Sequence, residues 1–241
     1  MPETSPSPLL ILVAMPEEAA PLISRLGSPR SLETPFAGGV AATRGSLAGA
    51  DAIVVTTGIG IAAATAAATW GILAHSPGLV VAAGSCGGLA ADVEVDTVVV
   101  GESFAWSIAD ATAFGYAPGQ LPGGPERVHA PADWVDRAEL AARTDPAAAV
   151  RRGLMLSGDA FVTAELADPM RDRFSGALSA DMETTASART AEALGVPFVA
   201  LRAVSDLCGP AAGQQFHLEL DQVAETSARA VEALAGAVTR S

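Results

Sequence analysis

Acidic and hydroxyl residues recur in this 241-residue sequence directly after, or at the end of, short apolar runs. In an α/β sheet those positions lie outside the carboxyl ends of the strands, where ligands bind. Glu17 and Glu18 follow the run 9–15, and Ser85 follows 79–83. Ser157 and Asp159 follow 154–156, Asp181 and Glu183 follow 177–180, and Arg202, Ser205 and Asp206 lie at the end of 198–204. Several carboxylates with one arginine suit a neutral, hydroxyl-rich ligand and proton transfer. They suit phosphate poorly, because an anion needs clustered positive charge.

Each of these residues also has a plainer reading. Glu17 and Glu18 suit a helix N-terminus, where the macrodipole stabilises an acid by ~0.3–1 kcal/mol. Asp181 and Glu183 suit a cap and first turn, Asp206 a loop cap, and Arg202 an ion-pair partner of Asp206. The glycine-rich stretch 84–88 suits a turn with close backbone approach. Their convergence on one rim is the signal for a site. His75, His129 and His217 share no ligand or triad spacing, and Cys86 and Cys208 have no metal-type spacing and form no disulfide framework. No metal and no cofactor is called for.

The elements that must carry this rim follow from hydrophobic patterning. Runs 9–15, 52–56, 79–83, 97–100, 154–156, 177–180 and 198–204 read as buried strands. Helical segments are expected after residue 16, over 61–74, over 183–194 and over 221–238, and the Gly/Pro-rich stretch 116–125 reads as a long loop. Trp70 and Trp134 read as core anchors, and Arg151, Arg152, Arg171 and Arg173 as solvated faces. This alternation predicts a single-domain, three-layer α/β/α fold with a central mixed, largely parallel sheet. Residues 9–241 form that domain, and 1–8 a flexible leader without the charge of a signal peptide.

Half of the residues are hydrophobic and 17% are charged, enough for a sizeable core without staples. The 14 basic residues, all arginine, stand against 27 acids, for a net charge of −13. That balance argues against nucleic acid or an anionic membrane as partner. The uncharged stretch 52–91 is broken by Gly58, Gly60 and Pro77 and is rich in alanine, so no membrane span is expected. A reducing cytoplasm is the expected setting.

Particular motifs carry a resemblance over the whole chain from Leu10 onward. Ala14-Met15-Pro16-Glu17-Glu18, Thr57-Gly58-Ile59-Gly60, Gly84-Ser85-Cys86-Gly87-Gly88, Ser157-Gly158-Asp159-Ala160-Phe161, Asp181-Met182-Glu183 and Arg202-Ala203-Val204-Ser205-Asp206 occur in order, with Asp110 to Tyr116 and Gly119 to Pro122 between them. The chain resembles 5′-methylthioadenosine/S-adenosylhomocysteine nucleosidases of the nucleoside phosphorylase-like superfamily. The resemblance implies hydrolysis of the N-glycosidic bond of one or both of these nucleosides, releasing adenine. It casts Glu18 as the carboxylate that activates water, with Arg202 and Ser85 nearby, and Asp206, supported by Ser205, as the acid that protonates purine N7. Glu183 would bind the ribose hydroxyls and Met182 would pack beside the sugar. Phe161 would stack on the purine, the Val162 backbone would read the base edge, and Met15 and Ile59 would line the pocket. The resemblance also implies a homodimer, the 114–122 loop bringing Phe114 and Pro122 to the partner's site.

Within the superfamily, phosphorylases have an arginine ahead of the glycine-serine turn and another in the first loop. Here those neighbourhoods read Ala82-Ala83 and Pro16-Glu17-Glu18, so water is the expected nucleophile. The chain departs from the nucleosidase pattern at Asp181, where glutamate is usual, at a longer 207–213 segment, at Ile61 in place of a lysine, and at Leu220, near the usual site of a covering aromatic. The alternatives are a sibling nucleosidase for a futalosine-type or other adenosine derivative, a purine nucleoside phosphorylase, or an inactive nucleoside-binding protein.

Overall fold

A computed structural model describes residues 7–239, so the expected leader lies outside the described residues except at Ser7 and Pro8. The chain opens with strand β1 (Leu9–Val13), buried at every position, and enters helix α1 (Pro16–Ser24) through a proline, whose fixed φ suits a first turn. It continues through β2 (Gly27–Leu32), β3 (Ala41–Leu47), β4 (Ala50–Thr56), α2 (Ile61–His75), β5 (Leu79–Gly88), β6 (Val98–Trp106), β7 (Val128–His129) and α3 (Ala132–Ala142). The rest comprises β8 (Val150–Ser157), α4 (Ala164–Arg173), β9 (Ala177–Asp181), α5 (Thr184–Ala193), β10 (Phe198–Asp206) and α6 (Ala212–Val238).

The sheet is mixed. β4, β1, β5 and β10 run parallel in that order, and β6, β8 and β9 form a second parallel set. β10 joins the sets by pairing antiparallel with β6, while β9 pairs antiparallel with the last residues of β5. The strands β5, β10, β6, β8 and β9 therefore close on themselves, and β1, β4, β3 and β2 extend from the closed part as an open sheet. Helices α1, α3 and α6 pack on one side, and α2 and α5 on the other. Coverage on both faces explains why the parallel strands read as unbroken apolar runs.

β5 makes the closure. Leu79 to Ala82 pair with β1, while Gly87 and Gly88 pair with β9. Between these partners lies Gly84 at φ +108°, a conformation L side chains rarely adopt. The expected turn over 84–88 is therefore the far end of a ten-residue strand that bends at a glycine.

Other differences have equally local causes. α6 starts at Ala212, nine residues ahead of the expected 221, because its first turns lie outside the apolar stripe that marked the helix. β2, a polar and mostly exposed edge strand, gave no hydrophobic signal. Trp70 and Trp134 are partly buried against the main core. Arg152 forms ion pairs with Glu102, Asp136 and Glu139, and Arg173 pairs with Asp110. Among the described residues, no helix is long and apolar enough to cross a membrane.

Candidate active site

Glu18 lies in the first turn of α1, and its side chain folds back on the helix start. Oε2 accepts the N–H groups of Ala14 and Met15 at 2.8 and 3.1 Å. The capping interpretation is thus correct, yet it describes one oxygen only. Oε1 accepts both the N–H and the hydroxyl of Ser85, each at 2.7 Å, and the side chain is buried. Gly84 makes this approach feasible, because a Cβ there would stand 2.5 Å from the carboxylate.

Arg202 sits inside β10, 2% exposed. Nη1 donates to the Ser85 carbonyl at 2.8 Å, Nε stands 3.4 Å from Asp181 Oδ2, and Nη2 stands 3.6 Å from Glu183 Oε2. Burial opposes its charge, but Asp181, Glu183 and Glu18 outweigh that and hold the guanidinium protonated. An Arg202–Asp206 pair does not form. Four residues of extended strand separate the two by about 13 Å. Asp181 Oδ1 accepts the Ser157 hydroxyl and the N–H groups of Glu183 and Thr184, fixing the turn that presents Glu183.

Glu183 Oε1 accepts the Gly60 N–H at 2.8 Å. Burial, then the neighbouring Asp181 and Glu18 charges, pushes its carboxyl up to about 7, against the opposing pull of Arg202 and the Gly60 N–H. Asp206 is buried too. Its Oδ2 accepts the Ser205 hydroxyl and its Oδ1 the Cys208 N–H, both at 3.0 Å. Burial raises this carboxyl from its ordinary value despite those two hydrogen bonds. Cys208 holds its N–H in place from a left-handed backbone, φ +52°. Burial also pushes the Cys86 thiol far up and the Cys208 thiol to about 12, so neither is a ready nucleophile.

These groups surround one cavity of about 280 Å³, whose lining includes Met15, Glu18, Ile59, Ser85, Phe161, Val162, Met182, Glu183, Arg202, Ser205 and Asp206. Phe114 and Pro122 do not line it, and Phe114 projects outward, 82% exposed. Glu17 is exposed, Ser157 lies behind Asp181, and Asp159 bonds the Ile61 N–H outside the lining. The sequence reading missed Phe216, on the first turns of α6, which lines the cavity with its ring edge-on against Phe161 at 5.8 Å. The displaced helix start concealed it. An aromatic ten residues after Asp206 was the available signal, four residues ahead of Leu220.

Glu18 touches β5 at Gly84 and Ser85, and Asp206 reaches the same strand at Gly87. Three buried carboxyls, Glu18, Glu183 and Asp206, in one cavity lined otherwise mainly by apolar side chains define a site for acid–base work on a small polar ligand. The family model of the phosphorylase superfamily matches residues 8–241, and the chain belongs to that superfamily.

Solved structures narrow the family. The 5′-methylthioadenosine/S-adenosylhomocysteine nucleosidase from Neisseria meningitidis, in complex with methylthio-immucillin-A, is 34% identical with a TM-score of 0.91, the match covering 96% of this chain and 99% of that one. The corresponding enzyme from Colwellia psychrerythraea 34H, in complex with adenine, is 32% identical with a TM-score of 0.91 and 96% coverage of each chain. An S-adenosylhomocysteine nucleosidase from Streptococcus pyogenes is 25% identical with a TM-score of 0.90, covering 96% of this chain and 97% of that one. Within the superfamily, this chain stands with the 5′-methylthioadenosine/S-adenosylhomocysteine nucleosidases.

Proposed function

We propose that the protein hydrolyses the N-glycosidic bond of 5′-methylthioadenosine, S-adenosylhomocysteine or both, releasing adenine and the thioribose product. The observation that carries this reading is the placement of Glu18 and Asp206, both buried, in the lining of one cavity with Glu183, Ser85 and Phe161, the two-carboxyl arrangement in which one acid serves the leaving group and the other the water. As the C1′–N9 bond breaks, Asp206 gives its proton to purine N7 and the departing base leaves neutral. The water oxygen bonds C1′ from the opposite face, and its proton passes to Glu18. Glu18 already accepts four donors, so the Ser85 hydroxyl must turn away for the carboxylate to take the water. Glu183 accepts from the ribose hydroxyls, Met182 packs beside the sugar, and Phe161 stacks on the purine, buttressed by Phe216, with the Val162 backbone at the base edge.

Water is favoured over phosphate as nucleophile. The cation in the lining, Arg202, donates to the Ser85 carbonyl and has its charge offset by Asp181 and Glu183 at 3.4 and 3.6 Å, and the neighbouring Glu18 would repel an anion. We further propose that residues 9–241 act as one domain, that the enzyme works in the cytoplasm in methionine salvage, and that it is a homodimer in which the 114–122 loop serves the partner's site. The deciding experiment is adenine release from methylthioadenosine, adenosylhomocysteine, aminodeoxyfutalosine and adenosine, with and without phosphate. Release from a thio-nucleoside at the same rate in both conditions is the expected result. A strict phosphate requirement would make the protein a phosphorylase, and tight binding without turnover would make it a nucleoside-binding protein.

A further inference from the structure

Helix α2 has Gly60 as its N-cap, with no acid in its first turn and no capping side chain of its own. Its leading amides are nevertheless taken by two carboxylates from distant parts of the chain. The Gly60 N–H donates to Glu183 Oε1 at 2.8 Å, and the Ile61 N–H donates to Asp159 Oδ1 at 2.7 Å. Unpaired amides and the macrodipole both favour carboxylates at this end of a helix. The two donors are adjacent, while the two acceptors sit on segments that supply different walls of the cavity: Glu183 lines it and leads into α5, and Asp159 lies two residues ahead of Phe161. The approach is close, since a Cβ on Gly60, itself at φ +101°, would stand 2.9 Å from Asp159 Oδ1.

Beyond the Asp159 bond, the stretch 158–163 is held by Val162, buried among apolar residues that include Leu156 and Met170, and by the Phe161–Phe216 ring contact. Gly158 donates to the Asp181 carbonyl at 3.1 Å, and Ala160 donates back to Gly158 at 2.7 Å within the loop. Phe161 is 44% exposed. We propose that Asp159 is a positioning residue: by gripping the α2 N-terminus it fixes the Phe161 platform relative to Glu183, setting the distance between purine and ribose recognition. The identity of the ligand rests on the nucleosidase reading; the tether itself does not. Asp159 is exposed and outside the cavity lining, so it acts on the ligand only through the loop.

Loss of such a tether weakens ground-state and transition-state binding together, which raises KM and spares kcat. With methylthioadenosine, Asp159→Ala is expected to raise KM about tenfold with kcat held within about twofold, whereas Asp159→Asn, which keeps the Oδ1 acceptor, stays near wild type. In ligand-free protein, deuterium exchange at Ile61 and at amides 160–163 should speed about tenfold in the alanine variant and not in the asparagine variant. A purely capping role would lower the melting temperature of Asp159→Ala while leaving KM and the 160–163 exchange within twofold of wild type, and that result would overturn the proposal. An asparagine variant as impaired as the alanine variant would also overturn it. Absence of turnover by the wild-type protein would count against the nucleosidase reading alone, because the exchange measurement needs no substrate.

Discussion

Asp206 and Glu183 are both carboxyls whose burial favours the neutral form, but the reaction uses them in opposite states. Asp206 must hold a proton to deliver to the base, so its raised pKa extends the working range upward in pH. Asp206→Asn, of the same size but unable to supply that proton, should lose ~10²–10⁴-fold in turnover while adenine binding changes little; near-normal adenine release would remove Asp206 from the acid role. The carboxylate form of Glu183 accepts from ribose hydroxyls more strongly than the neutral acid, so kcat/KM should fall as pH drops below about 7, and Glu183→Gln should flatten that limb. The same shift carries a stability signature. Folding raises Glu183 from 4.5 to about 7, so the folded state holds the extra proton between those values. Its contribution is complete below 4.5 and is lost as pH rises through about 7. Denaturant midpoints of wild type relative to Glu183→Gln should therefore decline across that window; parallel pH profiles would show that the shift is absent.

Strand β5 does more positional work than its neighbours, since it changes partner along its length and carries Ser85 and Gly87 to two different carboxylates. Gly84 is the residue that permits this. In Gly84→Ala, a Cβ at φ +108° would collide with the Glu18 carboxylate 2.5 Å away, leaving either a displaced strand or a displaced acid. Strain and overpacking of this kind cost about 1–3 kcal/mol. The variant should melt several degrees lower and lose at least about tenfold in adenine release, as expected when a catalytic group is misplaced by about an ångström; wild-type melting with full activity would show that Glu18 does not depend on the bend. Helix α5 supports the other wall with small side chains: Ala186, Ser187, Ala188 and Ala191 are buried, so the helix lies close to the sheet behind Asp181 and Glu183.

The molecule leaves its apolar 114–121 edge outside its own cavity, with Phe114 82% and Leu121 47% exposed. If that edge meets a second copy, sedimentation should give twice 24.1 kDa, and Phe114→Ser should shift the population toward monomer and raise KM without lowering the monomer's melting temperature. A monomeric wild-type protein with full activity would exclude the dimer as the working unit.

Much of this architecture was legible because it rests on local pattern. Buried parallel strands are apolar along their whole length, so runs such as 9–15 and 198–204 marked both the strands and the rim beyond them. Motif order likewise carried Glu18, Ser85, Phe161, Glu183 and Asp206 to one cavity. The closure of β9 onto β5, the edge strand β2, the early start of α6 with Phe216, and the grip of Asp159 on α2 were not legible. Each depends on partners far apart in the chain or on polar surface without periodicity. Hydrophobic spacing records which face of an element is buried, whereas the choice of neighbour for a strand end or a helix amide is made only when the chain has folded around it.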